Sequence, residues 1–167
     1  MTRSKETIHI DGSDVNGSGR KIAIVAARWH DDIVGTLVDG ALNTLLELGV
    51  ETGDILIVRV PGCYEIPVLA ATLARSGKIN AVITLGVVIR GETAHFEYVA
   101  GPVAHELQRI AVDTRIPCIF GVLTTENVEQ ARERAGGAHG HKGREAAIAA
   151  LETLDALERT HVRLHRF

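Results

Sequence analysis

Four short aliphatic runs, separated by stretches in which apolar residues recur at helical spacing, leave a chain of this kind few options. It must build a parallel sheet and cover both faces with helices. The runs are residues 21–26, 55–60, 81–89 and 118–123. The third, from Ala81 to Ile89, is the most hydrophobic and is expected at the centre of the sheet. After the first run, Ile33, Leu37, Ala41, Leu45 and Leu48 make one apolar helical face that stops at Gly49. Pro61-Gly62 breaks the second run, and residues 65–75 predict a helix ending near Gly77. Val99, Val103, Leu107 and Ile110 predict the next helix. Residues 127–134, and those from 145 onward with Leu151, Leu154 and Leu157, predict two more. Right-handed crossovers convert this order into a three-layer α/β/α sandwich. Residues 1–20, polar and glycine-containing, read as a flexible N-terminal arm whose only strand-like piece is Ile8-His9-Ile10. Residues 21–167 read as a single domain.

The chain has 167 residues, the length of one ordinary domain. Its 46% hydrophobic and 23% charged residues place it among globular chains and not disordered ones. A net charge of −3 implies no broad attraction to nucleic acid or to a membrane surface. Cys63 and Cys118 both sit in apolar stretches, which favours buried thiols over a disulfide and points to the cytoplasm. No apolar run follows the first basic residues as in a secretory signal, and none is long enough to cross a bilayer.

Parallel sheets bind ligands at the carboxyl ends of their strands. That rule directs attention to the loops at 28–32, 61–67, 89–96 and 123–127. In the third, Gly91 permits a tight turn and Thr93 offers a hydroxyl just before a helix N-terminus, an arrangement suited to phosphate. Glu92 is expected to contribute its backbone N–H, since its carboxylate would repel an anion. His95, at the pocket's edge, is either a proton-transfer group or a capping and packing residue. Glu65 either satisfies the helix dipole or accepts hydrogen bonds from ligand hydroxyls. Cys63 has no base paired with it in sequence, so packing is favoured over nucleophilic chemistry. Trp29, the only tryptophan, is either a stacking platform for a flat heterocycle or a rim aromatic. His30, Asp31 and Asp32 read as helix-start residues. The glycine-rich basic stretch 134–143 is a candidate phosphate wrap with Arg134 as its clamp, without the Walker pattern. His139 and His141 lack a third metal ligand in register, which favours a solvated loop over a metal site.

Three segments together carry a resemblance. They are Pro61-Gly62-Cys63-Tyr64-Glu65-Ile66-Pro67, the run from Leu85 through Arg90-Gly91-Glu92-Thr93-Ala94-His95-Phe96 to Val99, and the run from Phe120 through Thr124-Thr125-Glu126-Asn127 to Ala131. With Arg134-Ala135-Gly136-Gly137 and Lys142-Gly143 they resemble the lumazine synthase family, from about Lys21 to the last helix. The resemblance implies a flavodoxin-like α/β/α fold and a transferase of riboflavin biosynthesis. Such an enzyme joins 5-amino-6-ribitylaminouracil to 3,4-dihydroxy-2-butanone 4-phosphate, giving 6,7-dimethyl-8-ribityllumazine, phosphate and water, with no cofactor and no metal.

The resemblance also implies site roles. His95 transfers protons. Arg134, Thr93 and the N–H of Glu92 bind phosphate. Trp29 stacks on the pyrimidine, Glu65 binds ribityl hydroxyls beside the backbone of Cys63 and Tyr64, and Val88 and Ile89 line the ring. Phe120, Lys142 and Arg134 come from a neighbouring subunit. It further implies a homopentamer, with an icosahedral shell of twelve pentamers expected from the intact glycine-rich linker, a functional link to riboflavin synthase, and possible riboflavin binding. Two departures stand out. The family usually has Phe-Asn at Trp29-His30 and Asn at His141, and the larger Trp29 favours retention of a tricyclic flavin. A flavin-binding protein with little turnover and a purely structural shell protein share this fold and remain alternatives.

Overall fold

A computed structural model describes residues 7–166. Its centre is a four-stranded, wholly parallel sheet in the order β2-β1-β3-β4, made of β1 (Ile22–Ala27), β2 (Ile55–Val60), β3 (Ala81–Ile89) and β4 (Cys118–Thr125). The expectation for β3 holds: with β1 it occupies the middle, and all but its last residue is buried. Strand alternation divides the core into two halves. Ile22, Ile24, Ala26, Ile83 and Leu85 pack under α1 (Asp31–Glu47) and α5 (Lys142–Leu164). Ala23, Val25, Ala27 and Val82 pack under α2 (Ile66–Ala74) and α3 (His95–Thr114). This is the three-layer sandwich that the periodicity predicts.

The chain leaves β1 toward β2 and leaves β3 toward β4. The carboxyl ends of β1 and β3 therefore flank a topological switch point, where open α/β sheets form their ligand crevice.

Some local expectations need correction. Ile8-His9-Ile10 forms no strand. It finds no sheet edge, since the described arm runs along α5. There Gly12 lies against Ala156 and the carbonyl of Glu152, and Arg20 pairs with Glu158 at 2.6 Å. Residues 1–6 of the expected arm lie outside the described residues. The 134–143 stretch is no simple solvated loop. After α4 (Val128–Glu133) it folds as a short antiparallel hairpin, β5 (Ala135–Gly137) against β6 (Gly140–His141). The last helix starts at Lys142, three residues before its apolar pattern becomes visible, because His141 caps it. The ring Nδ1 accepts the Arg144 N–H at 3.4 Å. The same ring lies against Gly40 of α1, where a Cβ would come within 2.0 Å of it.

Candidate active site

Three of the four expected loops meet at one end of the sheet. After β1, the turn Arg28-Trp29-His30 is stapled to the end of β2: the Arg28 N–H donates to the Val60 carbonyl (2.7 Å) and the Trp29 N–H to that of Pro61 (3.1 Å). His30 adopts the left-handed backbone conformation, with φ 57°. Asn and His tolerate this conformation better than most residues. The indole of Trp29 rests on Gly62, where any Cβ would come within 2.6 Å of two ring carbons. Trp29 is otherwise 65% exposed.

Past Gly62, a single 3-10 turn, Cys63–Glu65, leads into α2. The Glu65 carboxylate accepts the Gly62 N–H at 2.9 Å, so one of its oxygens already serves the fold. The Cys63 thiol is buried, 3.6 Å from the Val87 carbonyl. Burial pushes it up to about 11. A thiol that stays protonated at neutral pH is a poor nucleophile, in keeping with packing.

The third loop owes its shape to Arg90. Its guanidinium pairs with Glu97 and with Glu126 (3.0 Å) and lies 4.2 Å from the centre of the Phe96 ring. The Arg90 guanidinium holds Glu97 below the usual carboxylate range, and the Glu97 and Glu126 carboxylates hold Arg90 above its own. The Thr93 hydroxyl accepts the His95 N–H at 3.4 Å at the start of α3.

These loops enclose a hollow of about 520 Å³, lined by Trp29, His30, Cys63, Tyr64, Glu65, Val88, Ile89 and His95 together with Tyr98 and Val99. Its size suits a small molecule. An indole, a carboxylate and imidazoles among its lining side chains equip it for a planar, polar heterocycle. Glu92 and Thr93 stand exposed on the adjoining loop and do not line it. His30, expected only as a helix-start residue, and Tyr98, not among the expected site residues, both line the hollow. Tyr98 had a signal, since it lies three residues after His95 on a helix and so shares its face.

The remaining expected residues gather elsewhere. Phe120, Arg134 and Lys142 line a second hollow of about 420 Å³ against α5, on the sheet face opposite α3. Arg134 donates to the Gln130 carbonyl (2.9 Å), and Lys142 pairs with Glu145 (2.6 Å). The two hollows share no residue. The loop at 123–127 mainly starts a helix: the Asn127 side chain caps α4 by accepting the Gln130 N–H at 2.9 Å. A larger hollow, about 800 Å³, opens at the amino ends of the strands around Lys21, Asp54 and Lys78 and holds none of the expected residues. Among the described residues, no three His, Cys, Asp or Glu side chains are grouped to hold a metal ion, and no helix is long and apolar enough to cross a membrane.

Compared with known protein families, the chain matches the one described as 6,7-dimethyl-8-ribityllumazine synthase over residues 19–158 of its 167. That span contains every strand and both hollows. The match covers most of the chain and takes in the whole crevice just described, and the chain therefore belongs to the 6,7-dimethyl-8-ribityllumazine synthase family.

Proposed function

We propose that this member of a riboflavin-biosynthesis family condenses 5-amino-6-(D-ribitylamino)uracil with 3,4-dihydroxy-2-butanone 4-phosphate to 6,7-dimethyl-8-ribityllumazine, releasing phosphate and water. The observation that carries the reading is the convergence of Trp29, Glu65, Val88, Ile89 and His95 on one hollow at the switch point. Trp29 stacks on the pyrimidine, Glu65 takes ribityl hydroxyls on the oxygen that Gly62 leaves free, and the end of β3 lines the ring.

The uracil amine adds to the ketone and water leaves, giving an imine. A proton then moves from carbon as the C–O bond to phosphate breaks, with His95 as the proton carrier. The enol left by elimination tautomerises to a ketone, and the second nitrogen adds to that carbonyl and expels a second water, closing the ring to neutral product. Phosphate charge is held by Arg134, whose planar fork suits its oxygens, together with Thr93 and the Glu92 N–H. Orientation of two reactants supplies much of the acceleration, about 7–11 kcal/mol in well-aligned systems.

Arg134 lies in the second hollow, so this scheme requires two copies of the chain, the second lending Phe120, Lys142 and Arg134. Exposed apolar side chains on both edge strands, Leu56 and Ile57 of β2 and Phe120 of β4, support such an assembly, because bare apolar sheet edges are otherwise avoided. The proposed assembly is a homopentamer in the cytoplasm, with twelve pentamers forming a shell and riboflavin synthase using the product. Light scattering separates a ring from a shell.

The test is to mix both substrates with the protein and follow formation of the fluorescent lumazine. Product is expected, and His95→Ala is expected to lose about 10²–10⁴-fold in single-turnover rate while keeping measurable turnover. Wild-type rates in that variant remove His95 from the chemistry. No product from the wild-type protein, combined with tight riboflavin binding, favours the second reading, a flavin-binding protein. The exposed Trp29 indole facing the hollow is the observation behind it.

A further inference from the structure

We infer that Arg59, a residue that lines neither hollow, is a positioning residue for Trp29. Arg59 lies on β2 opposite Ala26. Its Nη2 donates to the Ala27 carbonyl at 3.0 Å and pairs with the Asp31 carboxylate. Ala27 is the last residue of β1 and Asp31 the first of α1. One guanidinium therefore grips both ends of the three-residue turn that presents Trp29 to the hollow.

The turn has need of such a grip. His30 carries a left-handed backbone, a conformation that persists only where its surroundings hold it. His30 also occupies the N-cap of α1 without a capping hydrogen bond from its side chain. The indole lies against the bare α-carbon of Gly62 and is mostly exposed. Its tilt is consequently set by the backbone beneath it.

Fold stability alone does not explain an arginine here. The Arg59 Nε is buried and has no hydrogen-bond partner. A buried donor without an acceptor works against folding. The Asp31 pair is partly exposed on both sides, and such pairs contribute little. An unbranched apolar side chain at this position should fold about as well, but it has no charged donor to join strand end to helix start.

The chain's single tryptophan makes this measurable, since all indole fluorescence comes from Trp29. Arg59→Met, Arg59→Lys and Asp31→Asn are to be compared with the wild-type full chain by acrylamide quenching, fluorescence anisotropy and thermal unfolding. Arg59→Met is expected to keep its Tm within a few degrees while Trp29 gains fast local motion and quenches more readily. Arg59→Lys keeps a charged donor on a more flexible and more strongly hydrated stem and should fall between. Asp31→Asn should move in the same direction as Arg59→Met, which keeps the test open should Arg59→Met fold poorly.

In the condensation assay, the KM for the aminouracil is expected to rise about fivefold with kcat within about twofold, the size of one loosened aromatic contact. Quenching and anisotropy unchanged in both Arg59→Met and Asp31→Asn overturn the inference. The kinetic arm rests on the proposed function; the fluorescence arm does not. A loosened indole in a protein that makes no lumazine sinks the function alone, and a rigid indole in an active Arg59→Met sinks the positioning role alone.

Discussion

Burial sets the chemistry of Cys63 more than any neighbour does. Desolvation pushes its thiol up to about 11 from an ordinary 9.0, and the Glu65 charge pushes the same way; only the Val87 carbonyl contact opposes them. Because the folded value lies above the unfolded one, the stabilisation is complete below about pH 9 and is lost as pH rises toward 11. Unfolding free energy should therefore fall with pH in that window, by at most about 1.4 kcal/mol per pH unit from this one thiol. Denaturant titrations at pH 8, 9 and 10 would show it, and Cys63→Ala should flatten the slope whatever it does to stability itself. An identical slope in the variant assigns the alkaline loss to other groups. The sequence showed the apolar neighbours of Cys63 and hence the direction of this effect. It did not show that Gly86 leaves room for the sulfur: a Cβ there would stand 2.5 Å from Sγ.

At the scale of elements, α1 and α5 approach so closely that glycine is required between them. A Cβ on Gly143 would lie 2.0 Å from the Leu37 carbonyl oxygen, a backbone atom that cannot swing away. Gly143→Ala should therefore destabilise the protein by about 1–3 kcal/mol, despite the helix propensity that alanine adds. Gly40→Ala meets the His141 ring, a side chain able to rotate, and should cost less in equilibrium unfolding. The reverse ranking would mean that the ring is locked more firmly than the backbone.

Elements with a strong period were legible in advance. The four strands and the helical faces of α1, α3 and α5 follow from short continuous apolar runs and from 3.6-residue spacing, which are properties of the chain alone. The β5/β6 hairpin was not legible. It has two short strands, and its glycines at φ 105° (Gly136) and 82° (Gly140) carry no apolar pattern to read. Ile8-His9-Ile10 failed for the opposite reason. It has strand-forming residues but lies along α5 and not along a sheet edge, and pairing partners are tertiary facts.

Taken as a whole molecule, one chain carries two hollows that share no lining residue. Sequence order gave no sign of this, because Glu92, Thr93 and His95 precede Phe120 and Arg134 by a few dozen residues and nothing local separates them. The sheet separates them: His95 opens α3 on one face, while Arg134 lies with α5 on the other. If the proposed site joins the His95 hollow of one protomer to the Arg134 hollow of the next, two crippled variants should rescue each other. His95→Ala keeps a sound phosphate half, and Arg134→Ala keeps a sound proton-transfer half. In a closed ring assembled at random from equal amounts, a site is intact when an Arg134→Ala protomer presents its His95 to the Arg134 of a His95→Ala neighbour. Each condition holds half the time, so about a quarter of sites are intact, and the mixture should show about a quarter of wild-type activity. Co-expression, or unfolding and refolding together, allows the subunits to mix; separately assembled variants combined afterwards serve as the control. A site contained within one chain predicts a different number, the mean of the two variants alone, since no protomer then carries both side chains. Activity at that mean, in a preparation shown by mass spectrometry to contain mixed assemblies, would rule out the shared site.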